Sequence, residues 1–204
     1  MPRLKATAGP EVLATTRELA LQEAGRLFVE RGFFQAPLSE LAARLNISKA
    51  ALYYYFDSKD HILMALISPL LDRIDALFDE APSFISGLPG RQLLLSRYAE
   101  TLVSDPRASA LLGQDVNVSQ HPDIAPRIEE HVSRLAHLLA GPRPSQDSMI
   151  RAHVAMIIVT RGLSDLRENN PALAKVSRRK YRRILVELAS DVLPGRREHP
   201  GPDR

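Results

Sequence analysis

The sequence predicts an all-α protein of about nine helices. Fifteen prolines divide the 204 residues into proline-free runs of helix length, among them 11–36, 38–68, 145–170 and 172–193. Proline is poorly tolerated inside a helix but common in its first turn, so these runs mark helix boundaries. No hairpin turn signal and no sustained alternation of apolar and polar residues accompanies them, which argues against strands.

The first helix is predicted over residues 12–31. Ala20, Ala24 and Phe28 recur near the 3.6-residue period that places side chains on one helix face. Gly32 follows at the position where a left-handed C-terminal cap favours glycine.

Two short helices are predicted next, over residues 38–45 and 49–55. Asn46 and Ile47 form the tight connection between them, and Ser48 is a favourable N-cap for the second helix.

The rest of the chain is predicted to be helical with short interruptions. A fourth helix covers about 60–79 and contains Pro69, and residues 82–89 are expected to form a loop because they include two prolines and a glycine. The remaining helices are predicted over 90–103, 106–113, 123–140, 146–169 and 171–192. The tail, residues 194–204, is rich in proline, glycine and charge and is expected to be disordered.

Composition excludes several classes of protein. The absence of cysteine rules out a disulfide scaffold, a cysteine-ligated metal and thiol catalysis. The apolar stretch between Arg151 and Arg161 is far shorter than the roughly 18 residues that span a membrane, and no apolar segment typical of a signal peptide follows Met1. We therefore expect a cytoplasmic protein with no membrane partner.

The sequence contains no motif for catalysis, metal or cofactor binding. There is no HExxH, no phosphate-binding glycine-rich loop and no nucleophile elbow, and the six histidines are scattered. We expect no enzyme activity, no metal site and no cofactor.

The most informative segment is LSELAARLNISKAALYYYFDSK, residues 38–59. Two short helices joined by a turn of three or four residues form the helix-turn-helix geometry, whose second helix enters the DNA major groove. Leu52 and Phe56 are four apart and should face inward, so at least two of the three tyrosines at 53–55 must face outward. An outward phenol near a cation such as Lys49 suits hydrogen bonding to phosphate. Packing alone is the other explanation for such a unit.

This segment resembles a known family. Gly32-Phe33, followed by LSELAARLNISKAALYYYFDSKDHIL, is similar to the N-terminal domain of TetR-type transcriptional regulators, over about residues 15–65. The resemblance implies a homodimeric, ligand-responsive repressor. It also implies that the third helix reads bases and that the last two helices form the dimer.

The resemblance assigns DNA-contact roles by position. Lys49 and Ala50 match residues that reach base edges, and Ser39 matches a position that reaches a base or a phosphate. Ser48, Tyr53, Tyr55 and Lys59 match residues that contact the DNA backbone. Tyr54 completes the predicted set because it belongs to the run of phenols that cannot all be buried.

Two departures from the family pattern concern this site. Family members often carry Thr or Ser before the second helix, where this chain has Ala36-Pro37, so one side-chain phosphate contact is lost. Tyr55 stands where the family often has His, a change that preserves a phosphate contact.

An effector cavity is expected among helices four to eight. The candidate residues are polar side chains within apolar runs and large apolar side chains near them: Tyr98, Asn117, His121, His153, Phe78, Phe84 and Met156. Aliphatic walls would suit an acyl or other flexible apolar effector, and the low aromatic content (5%) gives little support for a planar multidrug pocket.

The last two helices carry apolar stripes suited to a four-helix interface with a second copy. The final helix offers Leu173, Val176, Tyr181, Ile184, Leu185, Leu188 and Val192, and the preceding one offers Met149, His153, Met156, Ile157, Thr160 and Leu163. Packing within the monomer is the alternative for both stripes. The basic cluster Arg178–Arg183 is interpreted as a solvated helix face rather than as a second nucleic-acid patch.

These observations lead to one functional hypothesis and a rival. We expect a helix-turn-helix DNA-binding domain at 1–60 and an effector-binding and dimerisation domain at 61–193. Together they would form a dimeric regulator that binds a palindromic operator in double-stranded DNA, a repressor released by a small molecule. Within DNA binding, an activator or a ligand-free regulator remains open. The rival is a helical adaptor or small-molecule carrier whose N-terminal helices contact another protein.

Overall fold

The structure is a computed structural model that describes residues 10–163, 173 and 175–193, apart from the side chains of residues 10–15 and 84. Across these residues the chain is all α-helical, as predicted. The helices are α1 (Pro10–Arg31), α2 (Leu38–Arg44), α3 (Lys49–Tyr55), α4 (Lys59–Phe84), α5 (Gly87–Ser104), α6 (Pro106–Gln114), α7 (Val116–Ser119), α8 (Ala125–Ala140), α9 (Gln146–Arg161) and α10 (Arg178–Val192). The predicted disordered tail, 194–204, lies outside the described residues.

The chain divides into two compact units, Met1–Pro69 and Leu70–Arg204, and the division falls within α4. In the first unit, α1 packs on α2 and α2 packs on α3. The predicted inner face of α1 is confirmed, since Ala20, Ala24 and Phe28 are fully buried. Gly32 takes the left-handed conformation expected of a helix-ending glycine, with φ 79°.

The predicted loop at 82–89 is largely wrong. Helix α4 continues to Phe84, past Pro82, and α5 already begins at Gly87. Pro89 is accommodated because it lies in the first turn of α5, where its missing N–H has no intrahelical partner to lose. The short helix α7 was not predicted.

The last helix begins later than predicted. It starts at Arg178 instead of residue 171, because Ser177 is its N-cap and its side chain accepts a hydrogen bond from the Lys180 backbone N–H. Helix α9 ends at Arg161, and the part of the predicted helices that covers 164–172 lies outside the described residues.

In the second unit, α9 packs against α8 and α10, and α5 packs against α10. The contact between the end of α9 and α10 is close at Gly162. A Cβ atom there would lie 2.6 Å from Cδ2 of Leu185, so the missing side chain lets the two helices approach. The Tyr181 hydroxyl donates to the Gly162 carbonyl at 3.0 Å.

Candidate nucleic-acid interface and effector cavity

The turn between α2 and α3 is built by a Schellman motif. Asn46 takes a left-handed conformation (φ 54°), which asparagine tolerates better than other side chains. The backbone N–H of Ile47 donates to Ala42 O, and that of Asn46 donates to Ala43 O, each at 3.0 Å. These bonds satisfy the last carbonyls of α2 and turn the chain into α3.

Helix α3 begins at the predicted cap and in the predicted register. The Ser48 Oγ accepts from the Ala51 backbone N–H at 3.0 Å, as expected of an N-cap serine. Leu52 is 1% exposed and Phe56 2% exposed, so the predicted inner edge of the helix is confirmed.

The opposite side of α3 presents phenols, one cation and one small residue. Tyr53 is 44% exposed and Tyr54 is 74% exposed, which confirms that at least two phenols face outward. Tyr55 is half-buried, and its ring packs edge-on against Tyr54 at 5.4 Å. The Lys49 Nζ lies over the Tyr53 ring, 5.7 Å from its centroid, and Ala50 beside it is exposed.

The two remaining predicted DNA-contact residues differ in their surroundings. Ser39 is exposed in the first turn of α2. Lys59 is half-buried: its Nζ donates to Phe34 O at 3.1 Å and lies 4.9 Å from the Phe33 ring centroid. Burial lowers the pKa of Lys59. Lys59 therefore ties the start of α4 to the connection after α1, and two of its three N–H donors are not used by Phe34.

Three acidic residues of α1 and α2 are gathered around one arginine. The Arg44 guanidinium bonds to Glu30 at 2.7 Å, Glu40 at 2.8 Å and Glu23 at 3.2 Å. Hydrogen bonds to Glu30, Glu40 and Glu23 raise the pKa of Arg44. This cluster joins α1 to α2 and pairs three carboxylates with cations. Helix α3 itself contains no acidic residue.

The second unit contains a cavity of about 550 Å³, within the usual size range of small-molecule sites. Aliphatic side chains from α4, α5, α6, α8 and α9 form most of its wall: Leu71, Ile74, Leu102, Val103, Leu112, Ile128, Met156 and Ile157.

Three of the seven predicted effector residues line this cavity, namely Tyr98, His153 and Met156. Phe78 is fully buried behind the wall, where its ring stacks on Tyr98 at 6.2 Å. Asn117 is exposed on α7, and neither it nor His121 is part of the cavity lining. His121 instead accepts from the Asp123 backbone N–H at 3.3 Å. The Phe84 side chain lies outside the described residues.

His131 is a buried cavity residue that the sequence did not single out. Its Nε2 lies 2.5 Å from Asp75 Oδ1, and Arg127 also bonds to that carboxylate. Burial raises the pKa of Asp75, but the bonds from Arg127 and His131 outweigh it and hold that pKa below its usual value.

One sequence feature could have pointed to His131: acidic residues recur along one helix and basic residues recur at similar spacing along another. Asp72, Asp75 and Asp79 recur along α4, and they pair with Arg127, His131 and Arg134 on α8. Such periodic charges suggest a helix pair, but they do not identify which helix is the partner.

The apolar stripe on α10 divides into an inner and an outer face. Tyr181 and Leu185 are buried within the chain, at 8% and 7% exposure, so the prediction that they face a second copy is wrong. Both pack at Gly162 at the end of α9. Ile184 and Leu188 are instead exposed, and α9 exposes Ile150, Val154 and Ile157.

No helix among the described residues combines the length and apolar character needed to cross a membrane. In the same part of the chain, no three His, Asp or Glu side chains are grouped so that they could hold a metal ion.

Known proteins were compared with the chain. A sequence model of the family described as "Bacterial regulatory proteins, tetR family" matches residues 20–66. The HTH-type transcriptional regulator EthR of Mycolicibacterium smegmatis is 36% identical over 93 residues, which are 45% of this chain and 42% of that protein. The chain thus spans less than half the length of this relative.

Two further relatives extend over nearly the whole chain. The HTH-type transcriptional repressor KstR of Mycolicibacterium smegmatis is 25% identical over 202 residues, covering 94% of this chain and 93% of that protein. The crystal structure of Mycobacterium smegmatis AmtR superposes with a TM-score of 0.69 at 20% identity, covering 94% of this chain and 89% of that one. At this identity the structural match supports the fold only.

Proposed function

We propose that the chain is a regulator of the TetR type, since the model of that family matches residues 20–66, and that it is a homodimeric, sequence-specific DNA-binding regulator of transcription. We further propose that it acts as a repressor, that a small molecule releases it from a palindromic operator, and that it works in the cytoplasm, where bacterial DNA lies. The observation that carries the proposal is the outward face of α3, where Lys49 and exposed tyrosines follow a capped helix-turn-helix turn.

The residues of this face divide by role. Lys49 and Ala50 lie in the first turn of α3, the part of a recognition helix that contacts base edges. A small side chain at Ala50 lets the backbone approach the groove closely. The phenols hydrogen-bond to phosphates and set the register of the helix on the duplex. The backbone-contact set is Ser48, Tyr53, Tyr54, Tyr55 and Lys59, and Ser39 reaches either a base or a phosphate.

Pairing of charges supports DNA binding despite a small excess of positive charge. The whole chain has a formal net charge of only +3. Glu23, Glu30 and Glu40 are all bonded to Arg44, and Arg26 and Arg31 pair with Glu23 and Glu40, so three arginines offset the three carboxylates at the α1–α2 contact. The Lys49 ammonium, with no acidic neighbour on its own helix, is placed to meet phosphate or guanine.

The outer faces of α9 and α10 are proposed as the dimer interface. Ile150, Val154 and Ile157 are spaced so that they share a face of α9, and Ile184 and Leu188 do the same on α10. Since α9 and α10 pack together, the five exposed side chains give an apolar surface, which is uncommon on a monomer. A two-fold dimer would present two recognition helices to a palindrome.

The cavity of the second unit is proposed as the effector site. Its volume and aliphatic wall suit a small, largely apolar molecule. Release from DNA requires that this molecule bind the DNA-free conformation more tightly than the DNA-bound one. The repressor named as a full-length relative, KstR, supports repression as the sign of regulation.

The test begins with selection of bound duplexes from a random pool, followed by titration of the selected duplex at several salt concentrations. A DNA-binding regulator should select a palindrome, and its affinity should fall steeply with salt because bound counterions are released. A helical adaptor or carrier would select no duplex, and that result would reject the proposal in favour of the rival.

Two variants then test the roles of the residues on α3. Lys49→Ala should weaken the selected duplex more than a random one, by about 1–3 kcal/mol if the lysine contacts a base. Tyr53→Phe should weaken both duplexes about equally, because phosphate contacts carry little sequence information. Lys180→Ala, an exposed lysine on α10, is the matched control and should leave both affinities unchanged. Equal losses for Lys49→Ala and Tyr53→Phe on both duplexes would contradict this division of roles.

A further inference from the structure

The wall of the cavity in the second unit includes a buried hydroxyl whose hydrogen-bonding capacity is unused, that of Tyr98. Tyr98 is 8% exposed and lies in the cavity wall. Within the described part of the chain, its hydroxyl makes no hydrogen bond. Every fully buried side-chain oxygen or nitrogen among the described residues has a hydrogen-bond partner, so the unbonded Tyr98 oxygen is not fully buried, and the cavity that Tyr98 lines is where a ligand can reach it.

Other polar side chains of the wall are already bonded within the protein. The Ser109 hydroxyl donates to Leu102 O at 2.6 Å, and the Thr160 hydroxyl donates to Met156 O at 2.8 Å. The Tyr181 hydroxyl donates to Gly162 O at 3.0 Å. The hydrogen bonds of these three hydroxyls are therefore made within the protein. A buried hydroxyl without a partner instead lowers stability until a ligand or a water accepts its hydrogen bond.

The surroundings of Tyr98 indicate the charge of the missing partner. Burial raises the pKa of Tyr98 to about 12, so the phenol keeps its proton and can donate. His131, which packs edge-on with the Phe78 ring, is bonded to the Asp75 carboxylate. Arg127 is bonded to the same carboxylate, so the charges that the structure places around this ring are paired with one another and offer no free charge to a ligand oxygen at Tyr98.

We infer that the cavity takes a neutral aliphatic molecule carrying a carbonyl-type oxygen, and that the Tyr98 hydroxyl recognises this oxygen by donating a hydrogen bond to it. The aliphatic wall contacts the body of the ligand, while the Tyr98 hydroxyl fixes the position of its oxygen. This inference rests on the proposed effector site and specifies its ligand class.

The experiment uses three probes of equal carbon count with the full-length protein: methyl heptyl ketone, nonane and nonanoate. Headspace gas chromatography measures the unbound ketone and alkane directly, and equilibrium dialysis follows the carboxylate. The wild-type protein should bind the ketone more tightly than the alkane or the carboxylate.

Two matched variants locate the preference for the ketone. Tyr98→Phe removes one oxygen and keeps the ring that stacks on Phe78, so it should weaken ketone binding about threefold to tenfold and leave nonane unchanged. Tyr181→Phe makes the same change in a cavity tyrosine whose hydroxyl is already bonded to Gly162, and it should retain the ketone preference.

Several results would overturn the inference. The first is that the ketone does not bind at all. The second is that the preference for the ketone survives Tyr98→Phe, or is lost equally in Tyr181→Phe. The third is that nonanoate binds most tightly. The last result would point to the arginines of the wall, Arg161 and Arg178. Duplex binding by the same proteins is measured in parallel. Its persistence would show that the ligand class alone is wrong, whereas its absence in wild-type protein would reject the proposed function itself.

Discussion

Replacement of Leu188 by alanine is the sharpest test of the proposed dimer. Leu188 is 52% exposed on the outer face of α10. Complete burial of a leucine side chain contributes about 1.5–3 kcal/mol, so covering the exposed half contributes about 0.8–1.6 kcal/mol. A two-fold interface buries two copies of the residue, which doubles the effect to about 1.6–3.1 kcal/mol. Since alanine keeps little of that side chain, the dissociation constant of the Leu188→Ala dimer should be about tenfold to a hundredfold higher than that of the wild type.

Sedimentation equilibrium over a range of protein concentrations measures this change. The matched control is Leu19→Ala, because Leu19 is also 52% exposed but lies on α1, outside the proposed interface. Leu185→Ala provides the opposite case: its side chain is 7% exposed and packs at Gly162, so its loss should cost about 2–5 kcal/mol of folding free energy. If Leu188→Ala dimerises like wild type and like Leu19→Ala, the outer face of α10 is not the interface.

Three further predictions concern the cap of α3, the buried acid–base pair and the link between the two ligands. Ser48→Ala should lower the free energy of unfolding by about 1 kcal/mol in urea denaturation. Ser48→Asp should keep the cap but weaken duplex binding through charge repulsion. Equal losses of stability in the two variants would contradict the capping role. The folded-state pKa of Asp75 lies below its unfolded value of about 3.9, so its stabilisation is complete above that pH and is lost on acidification below it. Asp75→Asn should therefore shift the urea midpoint at neutral pH, and this shift should shrink steadily as the pH falls below about 3.9, whereas a shift that stays the same at every pH would refute the pairing. A molecule that releases the duplex should bind the duplex-bound protein more weakly by the same factor, about 5–150-fold, and calorimetric titrations that give one dissociation constant with and without duplex would exclude it as an inducer.

The unit formed by α2, the turn and α3 could be predicted because the residues that determine it lie close together in the sequence. Ser48 caps α3 through a bond to an amide three residues away, and Leu52 and Phe56 are buried because helical geometry places residues four apart on one edge. The same geometry forces at least two of the three consecutive tyrosines outward. These features depend on backbone sterics within one or two helical turns.

Helix ends were predicted less well where proline and serine have two possible roles. Pro89 suggested a loop but lies in the first turn of α5, and Ser177 caps α10 although the apolar pattern extends further back along the chain. A proline is compatible with either a loop or a first turn, and only the packing of the neighbouring helices selects between them.

The cavity and the two faces of α10 were decided by contacts between distant residues. Leu185 and Leu188 belong to one apolar stripe in the sequence, yet the first is buried because Gly162, on another helix, has no side chain to exclude it. His131 is bonded to Asp75, 56 residues away, and the Tyr98 hydroxyl makes no hydrogen bond within the described part of the chain. Periodicity specifies that a helix has an apolar face, but which neighbour covers that face depends on the shapes of the side chains that meet there. Local sequence was therefore sufficient for α3, and only the packing of α4, α5, α8, α9 and α10 produced the cavity and the exposed apolar surface.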